Sequence, residues 1–283
     1  MPQPPLSIEV VAGKYTEGRH PALLLPVFQG EWTSEGVFAA VDRMAPVRPK
    51  DLIASGEIRG EFREFTILHL PPDRPYERIV LIGAGKRGEF SIDCLRSITA
   101  QAARTLRRMR YCEMVVVPEA FPDLGAEEVG EAVTLGTILG LYRFSKMSSE
   151  EPKKEMFGRL LFLVPDATTA RAVRRGVVRG EILGPATNLA RDMANEPANV
   201  RTPSSLGVTA RQIAAECGLE CRVFDEKALT KMGMGGILAV GKGSAEPPRL
   251  ISLKYAGGGR SAPTVALVGK GVTFDSGGIS IKP

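Results

Sequence analysis

Short apolar runs of strand length alternate with longer stretches of helical periodicity through the first 166 residues, and that alternation restricts the fold more than any other feature. Leu6 to Val11, Ala22 to Phe28, Gly60 to Leu70, Arg78 to Ile82, Met114 to Val117 and Arg159 to Val164 read as strands. Between them, Ser91 to Arg110 places Ile92, Leu95, Ile98, Ala102 and Leu106 three or four residues apart, with Ser91 as N-cap. Glu127 to Phe144 does the same with Val129, Val133, Leu135, Leu139 and Tyr142. Strands alternating with helices predict a mixed-sheet α/β domain over residues 1–166.

A connecting helix is expected over residues 167–195, with Val173, Val177, Leu183, Ala186, Leu189 and Met193 facing inward. An internal proline costs about 3 kcal/mol and one hydrogen bond, so Gly184-Pro185 should bend or split it near Leu183. The pattern then restarts. Pro203 and its serines open a helix to about Cys217, Leu219 to Phe224 is a strand, and Asp225 caps a short helix. Arg249 to Tyr255 and the terminal run Thr264 to Val268 complete the elements as neighbouring strands, so residues 196–283 read as the first part of a second α/β domain.

Composition narrows the function classes. With 43% hydrophobic and 24% charged residues, the 283-residue chain has a globular composition with room for two modest domains. The net charge of +5 is carried in short clusters such as Arg104, Arg107, Arg108 and Arg110, which at helical spacing read as a solvated face rather than a nucleic-acid site. The start MPQPPLSIEV lacks an apolar signal core and no apolar run reaches about 18 residues, so a cytoplasmic chain outside membranes is expected. Four scattered cysteines (Cys94, Cys112, Cys217 and Cys221) read as reduced thiols, the last two as buried ones. The two histidines, His20 and His69, are remote from each other and from any HExxH pattern, so catalysis must use carboxylates and lysines.

Those groups converge in the last stretch, VGKGVTFDSGGISIKP. Lys270 follows the strand Thr264 to Val268, Asp275 lies five residues on, Gly277-Gly278 allows a close approach, and Lys282 follows. Ligands of open α/β sheets gather beyond the carboxyl ends of strands, where these residues stand. A surface ion pair, worth about 0–1 kcal/mol, is the plain alternative. A Walker-type phosphate loop is excluded, because GKG lacks the hydroxyl residue that must follow the lysine. A metal site remains open, with an oxygen from Asp275 and a nitrogen from Lys270 if its pKa falls from about 10.4.

The stretch resembles the signature of the leucyl aminopeptidases, the two-metal cytosol aminopeptidase family. The resemblance extends through NLARDMANEPANVRTPSSL (Asn188 to Leu206) and MGMGGILAVGKGSAEPPRLISLKY (Met232 to Tyr255), and more loosely through RIVLIGAGKRGEF (Arg78 to Phe90). It implies that Lys270 and Asp275 bind metal and that Lys282 is catalytic. It further implies two divalent cations, zinc or manganese, and a hydroxide bridging them that releases amino-terminal residues, leucine foremost, from peptides. Hexamers are the family's assembly. The carboxylate ligands that the family carries after this motif have no counterpart before Pro283, so the chain is expected to be the amino-terminal part of such an enzyme, inactive alone, with apolar surface exposed around Val265 to Val268 and Leu250 to Leu253.

Two glycine motifs support the rival readings. Gly83-Ala84-Gly85-Lys86-Arg87-Gly88 follows a strand and precedes a helix, the context of a dinucleotide fingerprint, but the acidic residue expected about 20 positions later falls in the basic stretch Arg104 to Arg110. A nucleotide, ADP-ribose or nucleic-acid module in the amino-terminal domain is therefore the alternative function, with a dehydrogenase as a third. Gly236 to Lys242 fits GxxxxGK, but Gly243 again replaces the hydroxyl residue, and its ILAV filling predicts a packed structural element.

Overall fold

The computed structural model describes residues 6–147, 157–258 and 262–275. The chain divides into two compact units, Met1–Arg191 and Asp192–Pro283.

In the first unit, β1 (Ser7–Ala12), β2 (Leu23–Phe28), β3 (Phe65–His69), β4 (Arg78–Gly85), β5 (Glu113–Val116) and β6 (Arg159–Val164) form one sheet in the order β1-β6-β5-β2-β4-β3. All neighbouring pairs are parallel except β3 with β4, so the sheet is mixed, as the alternation predicts. One row of apolar residues crosses all six strands in register: Ile67, Val80, Leu24, Val116, Phe162 and Val10. Leu23, Leu24 and Leu25 are fully buried in succession, the pattern of a parallel strand covered on both faces.

At the amino ends of the strands, the buried Glu113 carboxylate accepts from His20 Nδ1 at 2.8 Å and Arg159 Nη1 at 2.7 Å. Arg159 also grips Glu9 with two bonds of 3.0 and 2.7 Å. His20 thus has a structural partner, and the charge that β5 buries is paired.

The helices are α1 (Gly36–Met44), α2 (Pro49–Ala54), α3 (Ile92–Arg108), α4 (Ala126–Leu141) and α5 (Ala167–Asn195). Ser91 caps α3 as expected, accepting the Cys94 N–H at 3.3 Å, and Leu95, Ile98, Ala102 and Leu106 turn into the core. Arg104, Arg108 and Arg110 are exposed, while Arg107 donates to the Leu141 carbonyl. Helix α4 touches its neighbours at backbone distance. A Cβ at Gly140 would lie 2.3 Å from the Ala100 oxygen of α3, and one at Gly130 would lie 2.4 Å from the Val173 oxygen of α5.

Helix α5 is continuous through Pro185, so it does not split near Leu183, and of the residues expected to face inward Val173 and Val177 are buried while Leu183, Ala186 and Leu189 are exposed. The proline removes the donor for the Glu181 carbonyl, but Glu181 lies on an exposed stretch where water can take the donor's place.

The second unit contains α6 (Pro203–Cys217), β7 (Glu220–Phe224), α7 (Glu226–Lys231), α8 (Gly235–Gly241) and β8 (Leu250–Lys254). Thr202 caps α6 through the Ser205 N–H at 3.2 Å, Gly218 ends it at φ 66°, and Asp225 caps α7 through the Ala228 N–H at 2.9 Å. Strand β8 pairs antiparallel with β7, Val223 facing Ile251. The expected terminal strand does not form among the described residues: Thr264 to Val268 has no sheet partner, and Val265, Leu267 and Val268 are 80%, 96% and 96% exposed. An apolar, β-branched run favours a strand only where a neighbour satisfies its backbone and covers its side chains, and among the described residues no strand pairs with this run. In β8 itself Leu253 is exposed and Leu250 and Ile251 are half-buried.

Candidate active site

The described part of the candidate site is the segment 262–275, which carries Lys270 and Asp275 without regular secondary structure. Both side chains are exposed. Lys282, the second lysine of the motif, lies outside the described residues.

The donor chemistry suits a divalent cation in kind, with a carboxylate oxygen at Asp275 and an amine nitrogen at Lys270. It does not complete a coordination sphere, which takes about four to six ligands. Among the described residues no group of three or more His, Cys, Asp or Glu side chains is placed to hold a metal ion. Cys217 is exposed and Cys221 half-buried, and all four cysteines are free, so reduced thiols are found but not the expected burial. The reason is position: Cys217 is the last residue of α6, and Cys221 lies in the two-stranded β7–β8 sheet, whose strands hold no buried residue.

Upstream, the stretch Asn188 to Leu206 spans the end of α5 and the start of α6. Arg191 donates to the Leu139 carbonyl at 3.2 Å and stacks over the Tyr142 ring at 5.5 Å. Arg201 forms a shielded ion pair with Glu196 and donates to Thr209 Oγ1 at 2.8 Å, which ties the α5–α6 turn to the body of α6. Sequence reasoning did not single out this arginine; its signal was a lone basic residue in a proline-bounded turn, indistinguishable from a solvated one.

The two glycine motifs resolve as structure. Gly83 and Gly85 belong to β4, and their backbone groups are bonded within the fold: Gly83 N–H to the Glu64 carbonyl at 2.7 Å and Gly85 N–H to the Gly60 carbonyl at 3.0 Å. Glu89 and Phe90 N–H groups close a tight 3-10 turn, Arg87–Glu89, on the Lys86 and Arg87 carbonyls. These donors are therefore spent before a phosphate could use them. Gly236 to Gly241 lies in helix α8, but the packing expected for it is incomplete: Ile237 and Leu238 are half-buried and Val240 is 77% exposed.

Two sequence models of one family match the chain: the cytosol aminopeptidase family N-terminal domain over residues 24–151, and its catalytic domain over residues 188–283. Curated relatives include a probable cytosol aminopeptidase of Solibacter usitatus, 39% identical over 93% of this chain and 51% of the relative, and one of Geobacter sp., 35% identical over 98% and 56%. The chain thus spans about half the length of these relatives. Among solved structures, the bottromycin maturation enzyme BotP in complex with Mn is 29% identical at a TM-score of 0.69, over 93% of this chain and 50% of that one. A tomato leucine aminopeptidase mutant shares the fold at a TM-score of 0.80 and 22% identity, over 99% of this chain and 56% of that one. The amino-terminal match is broader than its short motif suggested, and with both domain models in place along one sequence, the chain belongs to the cytosol aminopeptidase family.

Proposed function

We propose that this chain is part of a metal-dependent aminopeptidase that removes amino-terminal residues, leucine-type ones foremost, from peptides. The observation that carries the reading is the Lys270–Asp275–Lys282 spacing inside a segment that matches the family's catalytic domain. Lys270 and Asp275 would hold the cations, zinc or manganese, with further ligands from outside the residues described. Bound divalent cations supply Lewis acidity and a water-derived nucleophile at neutral pH.

The two lysines have opposite tasks. Lys270 must be neutral to offer its lone pair to a metal, and Lys282 must keep its proton to donate a hydrogen bond to the oxyanion that forms when the peptide carbonyl is attacked. Charge neighbours and burial set such differences between identical side chains.

The remaining readings follow from the family. The working division is residues 1–166, the helix 167–195 and the catalytic portion 196–283, in a cytoplasmic homo-oligomer, a hexamer by resemblance. No described helix is long and apolar enough to cross a membrane. A nucleotide or nucleic-acid module in the amino-terminal unit is the weaker reading, since Gly83 and Gly85 lie in a strand with their N–H groups bonded to the Glu64 and Gly60 carbonyls. Hydrolysis of L-leucine amide by the whole gene product should stop on exhaustive chelation and return with zinc or manganese. Activity that survives chelation would overturn the metal mechanism.

A further inference from the structure

A pocket of about 610 Å³ lies in the first unit beside the residues that lead into β2 and β4. Three segments build it: the β1–β2 connection with Thr16, Gly18 and Arg19, the last turn of α1 with Arg43, and the β3–β4 connection with Asp73 and Arg74. No residue of the peptidase reading takes part.

The backbones that carry the three arginines are fixed by the fold. His20 N–H donates to the Pro75 carbonyl at 2.8 Å and Glu77 N–H to the His20 carbonyl at 2.9 Å, so the two connections are bonded to each other next to the pocket. Tyr76, between those bonds, is fully buried. Arg74 N–H closes a turn on the Pro71 carbonyl at 3.1 Å, in a segment stiffened by Pro71, Pro72 and Pro75. Helix α1 is anchored in the core by Val37, Ala40 and Val41. A ligand that meets a fixed frame has less ordering to offset on binding.

Carboxylates do not match these cations. Among the described residues the Arg19 and Arg43 guanidinium groups have no ion pair or hydrogen bond, and Arg74 has only a 3.8 Å contact with its neighbour Asp73. The acids of the flanking sequence are engaged with other groups: Glu17 with Lys14 at 3.1 Å, Asp42 with the Trp32 indole N–H at 2.9 Å and Glu77 with Arg78 at 2.7 Å. Arg87 and Arg159 of the same unit, by contrast, each meet two carboxylates. A cation in the last turn of α1 complements the helix dipole, which accounts for Arg43 but not for Arg19 and Arg74 lining the same pocket from two other segments. The Thr16 hydroxyl and the Gly18 N–H, on residues of the same lining, also have no partner among the described residues.

Guanidinium forks with free donors match the oxygens of phosphate groups two at a time. Three of them around one pocket call for a ligand that concentrates several negative charges, which a diphosphate does and a single carboxylate does not. The described lining holds no aromatic ring on which a base could stack, so the phosphates themselves are the recognised part. We propose that this pocket binds a compact oligophosphate, gripped through its diphosphate group by Arg19, Arg43 and Arg74. The site is separate from the Gly83–Gly88 turn and is read from the first unit alone.

Calorimetric titration of the 283-residue chain with pyrophosphate, at about 0.15 M salt and without divalent cations, should saturate at one site. Inorganic phosphate, which reaches fewer of the forks, and citrate, which offers carboxylates instead, should each bind at least about tenfold more weakly. Arg19→Gln and Arg43→Gln, both at exposed positions, should each weaken pyrophosphate about tenfold and keep the far-ultraviolet circular dichroism. Arg104→Gln, on the exposed face of α3, should leave the affinity unchanged. Four results would overturn the proposal: no saturation by pyrophosphate, citrate binding as tightly as pyrophosphate, native affinity in both Arg19→Gln and Arg43→Gln, or an equal loss in Arg104→Gln, which would mark diffuse counterion attraction only. None of these readouts involves turnover or metal, so failure here leaves the peptidase reading standing.

Discussion

A Cβ at position 83 would lie 1.7 Å from the Glu61 carbonyl oxygen, so Gly83 and Glu61 are packed backbone to backbone across the edge of the sheet. That contact explains the first glycine of the Gly83–Gly88 motif without any ligand. Gly83→Ala should destabilise the first unit by about 3 kcal/mol or prevent its folding, because the clash is with backbone and cannot be relieved by a rotamer change. Gly88→Ala, whose Cβ meets nothing within 4 Å, should fold normally. Urea unfolding of both variants gives the comparison, and equal stability would show that the close approach is not obligatory.

The buried cluster at the amino ends of the strands makes a second forecast. Glu113→Ala strands His20 and Arg159 together, and breaking a buried pair costs about 3–5 kcal/mol. Arg159 retains Glu9 and is partly exposed, which places the expected loss near the lower end. Glu9→Gln, at the half-buried outer end of the same cluster, should change the urea midpoint far less. A Glu113→Ala variant with an unaltered midpoint would show that the cluster adds nothing to stability.

Asp166 links α5 to pH. The Thr169 N–H, then the Thr168 N–H and the Thr169 hydroxyl, hold its carboxyl below the usual range. A depressed folded pKa contributes stability that is complete above the unfolded value of about 3.9 and is lost as pH falls through the lower folded value. The stability difference between the native chain and Asp166→Asn should therefore shrink as pH falls below the unfolded value of about 3.9. A difference constant over that range would remove Asp166 from the acid limb.

Strongly periodic segments were legible in the sequence because local propensity and burial agree in them. Helix α3, with Ser91 and its apolar positions, and the β2, β4, β5 and β6 runs appear where the patterns place them. Helix α1 was missed, since nine residues with Val37, Phe38 and Val41 as the apolar signal and no capping side chain give too little periodicity. Thr264 to Val268 failed for the converse reason: its propensity is plain, but a strand needs a hydrogen-bonding partner, and none pairs with this run among the described residues. Lys270 and Asp275 were legible as residue types in a glycine-bearing loop, whereas the Arg19–Arg43–Arg74 pocket was not. It is assembled from two connections and the end of α1, and no single window of sequence contains it as a motif.

The central claim is that Lys270 holds metal and Lys282 acts on the reacting carbonyl. Metal content and turnover of L-leucine p-nitroanilide, measured side by side on Lys270→Ala and Lys282→Ala of the whole gene product, test it most directly. The account predicts that Lys270→Ala loses bound metal and activity together. Lys282→Ala should keep its metal and lose about 10²–10³ in kcat, the usual effect of one oxyanion donor. Equal metal loss in both variants, or full turnover in Lys282→Ala, would contradict it.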